Sequence, residues 1–156
     1  MDGRDRFWQR WLIVVTSIVA VFGLTLVVAP PIGRRFFSLL IYGSQSEIEA
    51  MGSTASSYIT LAHGVLGAVM FGWATALLFV VIGPFARGSW EAWLTIAVSM
   101  TAWFIPDTVI SLWLGFWPNA VQNVVFATLF AIPLAATYRT FRRRKGREVT
   151  SVPSDP

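Results

Sequence analysis

The chain has 156 residues, of which 55% are hydrophobic, 15% aromatic and only 13% charged, with a formal net charge of +4. Because soluble domains usually carry roughly 25% charged residues, this composition is typical of a membrane protein. The absence of cysteine excludes disulfide frameworks, zinc–thiolate sites, iron–sulfur clusters and thiolate nucleophiles.

Four long apolar stretches predict four transmembrane helices. A helix needs about 20 apolar residues to cross a hydrocarbon core about 30 Å thick, and each stretch has about that length. The stretches cover residues 11–30, 58–82, 90–113 and 119–138. The predicted fold is therefore all-α: an integral membrane protein whose residues 1–138 form an antiparallel bundle of four transmembrane helices.

The first stretch resembles a secretory signal peptide, because Arg4, Arg6 and Arg10 precede it. Its apolar part is longer than the roughly 7 to 15 residues usual for a signal peptide, and Pro30 and Pro31 would block cleavage after the small residues before them. We therefore expect a retained transmembrane helix that ends at the two prolines.

The connection between the first and second helices, residues 31–57, combines an apolar run, 36–42, with a polar run that contains Glu47 and Glu49. This pattern predicts a segment lying in the membrane interface. The alternative interpretation is a lid over a pocket.

The second and fourth helices carry small or amide side chains at every fourth position. On the second helix these are Gly64, Ala68, Gly72 and Ala76; on the fourth they are Asn119, Asn123, Ala127, Ala131 and Ala135. Such spacing lets two helix backbones approach closely. We expect the two faces to pack against each other inside the bundle, with homodimerisation through either face as the alternative.

Candidate functional residues are the polar groups inside the apolar stretches. Asp107 is the only acid in a helix core, and such an acid costs about 2.5 to 3.5 kcal/mol on insertion scales unless it faces a partner or a cavity. Trp103 and Ser111 lie four residues to either side of Asp107 and share its face of the helix. Depths counted along the helices place His63 and Asn123 at levels near that of Asp107.

The predicted ligand-binding residues are His63, Trp103, Asp107, Ser111, Asn119 and Asn123. They would form a mostly apolar pocket with a few convergent polar groups in the outer half of the bundle. We expect Asp107 to be the orienting acid or base, with His63 as its partner. Structural roles are the alternative: a packed histidine, an N-cap at Asn119 and an interhelical hydrogen bond at Asn123.

Positive charges predict the orientation, because Lys and Arg accumulate on the cytoplasmic side. With both termini inside, the ten inner residues are Arg4, Arg6, Arg10, Arg87, Arg139, Arg142, Arg143, Arg144, Lys145 and Arg147. Only Arg34 and Arg35 lie outside. We expect a plasma membrane, in bacteria the inner membrane. The tail, residues 139–156, is predicted to be largely disordered and to meet anionic lipid headgroups rather than nucleic acid.

The pattern supports two functions from different classes. The first is a membrane protein that binds or processes a small, largely apolar molecule in the predicted pocket, with proton-coupled transport by an oligomer as a variant. The second is an accessory or structural subunit that docks a partner through its small-residue helix faces. No phosphate loop, dinucleotide fingerprint or nucleophile motif is present, which favours a non-enzyme without deciding the question. One histidine and one buried acid predict neither a metal site nor a cofactor.

Overall fold

The computed structural model describes residues 3–150, and the side chains of residues 3–146. Within this part of the chain the regular structure is all helical. The helices are α1 (Gly3–Val28), α2 (Pro30–Tyr42), α3 (Glu47–Ala50), α4 (Ser53–Val80), α5 (Trp90–Trp113) and α6 (Trp117–Thr150). A π-helical turn, Val81–Phe85, extends α4.

Four helical segments are long and apolar enough to cross a membrane: Gly3–Val28, Ser53–Phe85, Trp90–Trp113 and Trp117–Gly146. This confirms the all-α class and the predicted number of candidate spans. The third of these segments, α5, begins and ends at the predicted residues, Trp90 and Trp113. As expected for an N-cap, the hydroxyl oxygen of Ser89 accepts the backbone N–H of Ala92 at 3.2 Å.

The two prolines after α1 do not end helical structure but start a new helix. Pro30 and Pro31 occupy the first turn of α2, where a missing N–H costs nothing. The non-helical backbone of Ala29 separates α2 from α1. Helix α2 ends at Gly43, whose φ of 71° is in the left-handed region that glycine adopts readily. The connection 31–57 is therefore mostly helical.

The main helix pairs are α1 with α4 and α5 with α6. At the first contact, Gly23 and Gly67 face each other: a Cβ atom built on Gly67 would lie 2.5 Å from the carbonyl oxygen of Gly23. Two glycines thus let these backbones meet.

The predicted packing of the small faces of the second and fourth helices is wrong. Among the described residues, α4 and α6 make no close backbone contact, and a Cβ atom on Gly64 or Gly72 would meet nothing within 4 Å. The buried face of α4 is instead formed by Gly67, Ala74 and Leu77, which lie around the helix from the predicted stripe. Four-residue spacing defines a face but does not say which helix covers it.

A proline in α6 is matched by a tryptophan in α1. Pro133 has no N–H, so the carbonyl oxygen of Leu129 loses its helical donor. The indole N–H of Trp11 donates to that oxygen at 3.0 Å. A buried backbone acceptor in one helix thereby fixes the position of another helix.

The prediction that α6 ends near residue 138 and leads into a disordered tail is wrong for residues 139–150, which continue the helix. Phe141 is fully buried against Phe85, with 4.6 Å between ring centroids. Arg144 donates to the backbone carbonyl oxygen of Arg87 at 3.5 Å. Phe141 and Arg144 therefore hold this basic segment against the bundle, and its arginine and lysine residues are good helix formers. Residues 151–156 lie outside the described part of the chain.

Candidate functional site

A cavity of about 450 Å³ lies among α1, α2, α4, α5 and α6. Its lining is mainly apolar and includes six aromatic side chains: Phe22, Phe37, Trp73, Trp103, Phe126 and Phe130. Five polar side chains also line it: Ser99, Asp107, Asn119, Gln122 and Asn123. Four of the six predicted site residues, Trp103, Asp107, Asn119 and Asn123, are therefore brought together at one cavity.

Asp107 is the centre of a hydrogen-bonded cluster that joins α5 to α6. The amide nitrogen of Asn119 donates to Asp107 Oδ1 at 3.1 Å and to Ser111 Oγ at 2.8 Å. The Ser111 hydroxyl group donates to the backbone carbonyl oxygen of Asp107 at 2.6 Å and lies 3.3 Å from Oδ1. Ser111 is thus placed behind Asp107 and supports it without lining the cavity.

The second carboxylate oxygen of Asp107 takes part in none of the hydrogen bonds between described residues. Asp107 also lines the cavity, so a molecule bound there lies beside a carboxylate with an unused acceptor. A carboxylate has room for about four hydrogen bonds, and the described residues use Oδ1 only.

Two further polar residues of α6 lie beside this cluster. Asn123 is almost completely buried, and its amide nitrogen donates to Thr108 Oγ1 at 3.3 Å. Gln122 lines the cavity and makes no side-chain hydrogen bond with the described residues. The cavity end at Asp107 is therefore polar on both α5 and α6.

Two tryptophans form the wall beyond the polar end. The indole N–H of Trp73, on α4, donates to Ser99 Oγ, on α5, at 2.6 Å. The rings of Trp73 and Trp103 lie 6.5 Å apart between centroids, at an interplanar angle of 35°. The hydrogen bond to Ser99 satisfies the polar edge of Trp73, so the aromatic surface remains for contact with a ligand.

The predicted pairing of His63 with Asp107 is wrong in this structure. His63 stacks on Phe37, with 4.4 Å between ring centroids, and its Nδ1 atom is buried with no partner among the described residues. His63 does not line the cavity, whereas Phe37 does. The histidine therefore supports a wall residue on α2 and contributes no group of its own to the cavity.

Exposed lining residues mark where the cavity opens. Leu66 and Val69, on α4, are 42% and 64% exposed, and Ala102, on α5, is exposed as well. Close backbone contact between α4 and α5 is sparse compared with that of the pairs α1 with α4 and α5 with α6. The opening therefore lies on the flank of the bundle between α4 and α5, and its rim is apolar.

The sequence prediction missed Gln122, Trp73, Phe37 and Phe126 as lining residues. A signal for Gln122 was present, because it follows Asn119 by three residues on an apolar helix and so lies near the same face. A tryptophan in the middle of an apolar helix, such as Trp73, needs an acceptor for its indole N–H, but the sequence identifies neither the acceptor nor the cavity. Phe37 carried no usable signal, because its position depends on the way α2 folds back over α4.

The arrangement is suited to binding a polar group at one end of an apolar molecule. Within the described residues there is no cluster of three or more metal-ligating side chains of the His, Cys, Asp and Glu types. No protein-family model, curated protein or solved structure matches the chain.

Proposed function

We propose that this chain is a multi-pass membrane protein that binds or processes a small, largely apolar molecule in the cavity at Asp107. One observation carries the proposal: the cavity is mainly apolar, yet its lining includes Asp107, whose Oδ2 atom makes no hydrogen bond with the described residues. Its volume of about 450 Å³ is in the range of ligand sites, about 300 to 1,000 Å³. Asp107 is the residue that orients the ligand.

The location of the opening supports entry from the lipid. A rim formed by Leu66, Val69 and Ala102 is compatible with acyl chains, and it lacks the polar side chains that usually surround a water-facing entrance. An apolar ligand dissolved in the bilayer reaches the cavity by passing between α4 and α5.

Binding is tested with a neutral apolar fluorophore, N-phenyl-1-naphthylamine, and protein in lipid nanodiscs. Fluorescence above that of empty nanodiscs should saturate for the wild type. Ala102→Trp places an indole at the opening and should abolish the saturable signal. Ala76→Trp is the matched control, because Ala76 is an exposed alanine on α4 that does not line the cavity. Equal signals for the two variants would contradict the proposal.

The proposed orientation in the membrane rests on the distribution of Lys and Arg. An antiparallel bundle with both termini in the cytoplasm of a cell bounded by a plasma membrane, in bacteria the inner membrane, puts ten of these residues inside and two outside. The polar end of the cavity then lies in the outer half of the bundle, and α2 lies near the outer interface. In intact cells, an impermeant thiol reagent should label Ser46→Cys but not Arg87→Cys. The reverse labelling would invert this orientation.

The basic end of α6 is proposed to meet anionic lipid headgroups. Arg142 lies 5.8 Å from the ring centroid of Tyr138, and Lys145 lies at the same distance from that of Trp90. Trp90 itself stacks on Trp93 at 5.0 Å. Aromatic rings beside cationic side chains are typical of a membrane interface. Because an integral protein floats with vesicles of any composition, the test uses a synthetic peptide of residues 136–150. In flotation, this peptide should bind vesicles that contain phosphatidylglycerol and should not bind purely zwitterionic vesicles.

A second function, that of an accessory or structural subunit, is favoured by the uncovered small-residue stripe of α4. Ala68, Gly72 and Ala76 are exposed, and a Cβ atom on Gly72 would meet open space. Another membrane helix, from a partner or a second copy, can approach closely there. Gly72→Leu should then leave the melting temperature of the isolated protein unchanged but prevent assembly, as seen by crosslinking in native membranes. Unchanged crosslinking would argue against this function.

A further inference from the structure

Most hydrogen-bonding atoms left unused at the polar end of the cavity are acceptors. Asp107 Oδ2 and the side-chain carbonyl oxygens of Asn119 and Asn123 accept nothing from the described residues, because both asparagines bond through their amide nitrogens. The lining donors that lack a partner there are neutral: the amide group of Gln122 and the indole N–H of Trp103. The one group able to carry a full charge is an acceptor.

The orientation of the Asn119 amide group follows from its neighbours. Its nitrogen lies 3.1 Å from a carboxylate oxygen and 2.8 Å from Ser111 Oγ. An amide oxygen in that position would face the carboxylate oxygen of Asp107 with no proton between them. The Asn119 carbonyl oxygen must therefore point away from Asp107 Oδ1, which leaves it as an unused acceptor.

Among the described residues, the lining contains no positive charge to balance Asp107, since none of those that line the cavity is Lys, Arg or His. His63, which the sequence predicted as the partner of Asp107, stacks on Phe37 instead. A carboxylate in apolar surroundings is costly unless a partner or a proton compensates it. A cationic ligand supplies that partner.

The aromatic wall favours the same kind of ligand. Trp73 and Trp103 present indole surfaces to the cavity, and an indole face attracts cations more strongly than the rings of Tyr or Phe. Trp103 also lies four residues before Asp107 on α5, so the ring and the carboxylate share a helix face. A cationic group bound at Asp107 therefore has an aromatic surface close to it.

We propose that the ligand is a lipophilic amine in its protonated form. One N–H group of the amine donates a hydrogen bond to Asp107 Oδ2, and the apolar part of the molecule packs against Trp73 and Trp103. This inference rests on the proposed function, because it names the chemical class that the same cavity takes. The Asn119 and Asn123 carbonyl oxygens accept the remaining N–H groups. The hydrogen bond from Asn119 to Asp107 Oδ1, at 3.1 Å, engages one oxygen of the carboxylate and leaves Oδ2 for the ligand.

The test uses three probes of nearly equal shape: 1-naphthylmethylamine, 1-naphthalenemethanol and 1-naphthoic acid. Calorimetric titration into protein in nanodiscs, corrected with empty nanodiscs, should give at least tenfold tighter binding of the amine than of the alcohol, and the weakest binding for the acid. In Asp107→Asn the amine should lose this preference, to within about twofold of the alcohol. Glu47→Gln is the matched control, because it removes one exposed carboxylate outside the cavity and should leave the preference intact.

The outcomes separate this inference from the proposed function. If amine and alcohol bind the wild type equally and Ala102→Trp blocks both, the cavity is a ligand site but the amine class is wrong. If the preference for the amine persists in Asp107→Asn, the role of Asp107 is wrong. If Ala102→Trp changes the binding of no probe, the proposed function fails as well. The ratio of amine to alcohol in the wild type decides the ligand class even if Asp107→Asn does not fold.

Discussion

Gly67 of α4 lies against Gly23 of α1 so closely that the two backbones leave no room for a methyl group on either residue. Contact between α1 and α4 is the most extensive of any helix pair in the described structure, and it uses a face of α4 other than the stripe that the sequence spacing indicates.

Gly67→Ala should lower the melting temperature in detergent, because the new Cβ atom would lie 2.5 Å from the Gly23 carbonyl oxygen and 2.6 Å from Leu26 Cβ. Overpacking of this kind typically costs about 1 to 3 kcal/mol. Gly64→Ala is the control on the same helix, because its Cβ atom meets nothing within 4 Å. It should be neutral or stabilising by up to about 1 kcal/mol through helix propensity. Equal melting temperatures for the two variants would contradict this packing.

The hydrogen bond from Trp11 to Leu129 should depend on Pro133. Trp11→Phe removes the donor and should destabilise the protein by about 0.6 kcal/mol, the average for interhelical hydrogen bonds in membranes, and by no more than about 1.7 kcal/mol. In a Pro133→Ala background the helix supplies its own N–H to Leu129, so the same change should cost less. A double-mutant cycle of unfolding free energy measures the coupling. Trp113→Phe, at a tryptophan that is 81% exposed, controls for the loss of an indole. Additivity in the cycle would show that the contribution of this hydrogen bond does not depend on Pro133.

The cluster at Asp107 should be sensitive to the charge at residue 119. Asn119→Asp replaces the amide donor by a carboxylate beside Asp107 Oδ1 and Ser111 Oγ, so two negative charges repel each other at neutral pH. The melting temperature should fall, and it should partly recover in acid, because a protonated carboxyl group can again donate a hydrogen bond. Asn123→Asp is the control: Thr108 can donate to the new carboxylate, so a smaller pH dependence is expected. Equal pH dependence in both variants would exclude a special role for the Asp107 cluster.

The anchoring of the basic segment by Phe141 is testable by proteolysis. Phe141→Ala removes a fully buried ring from its contact with Phe85 and should release residues 139–150 from the bundle. Trypsin should then cleave after Arg142, Arg143 and Arg144 several-fold faster than in the wild type. Phe79→Ala, at a phenylalanine that is 76% exposed, should leave the rate unchanged. Equal cleavage of the wild type and Phe141→Ala would show that the segment is not held by this contact.

His63 and Asp107 should act independently. They share no hydrogen-bond partner, since His63 stacks on Phe37 while Asp107 bonds with Asn119 and Ser111. Effects of His63→Phe and Asp107→Asn on the unfolding free energy should add to within about 0.5 kcal/mol. A coupling above about 1 kcal/mol would restore the pair expected from the sequence.

The sequence predictions were correct where the position of a residue depends on residues close to it along the chain. The bounds of α5 follow from the length of its apolar stretch, and the contact of Asp107 with Ser111 follows from helical spacing. Asn119 joined them because it lies across a short turn, Leu114 to Phe116, at which α6 must begin beside the end of α5. A short connection limits the relative positions that such residues can take.

The failures concern the direction in which a side chain points around its helix. Depth in the membrane can be counted from the sequence, and it put His63 and Asp107 at similar levels. It does not fix rotation about the helix axis, and His63 turns toward α2. The predicted packing of the small-residue face that contains Gly72 was wrong for the same reason. Phe141 was missed because one apolar residue in a basic run has no periodicity of its own, although it fills a space next to Phe85.

Under the proposed function, the flank opening between Leu66, Val69 and Ala102 makes the lipid phase the reservoir from which the cavity fills. Occupancy then follows the mole fraction of the ligand among the lipids, rather than its concentration in water. A molecule that partitions strongly into the bilayer can fill a site of modest intrinsic affinity even when it is scarce in the aqueous phase. An apparent Kd expressed per volume of water will therefore shift in proportion to the amount of lipid or detergent in the sample, while the Kd expressed as a mole fraction stays constant.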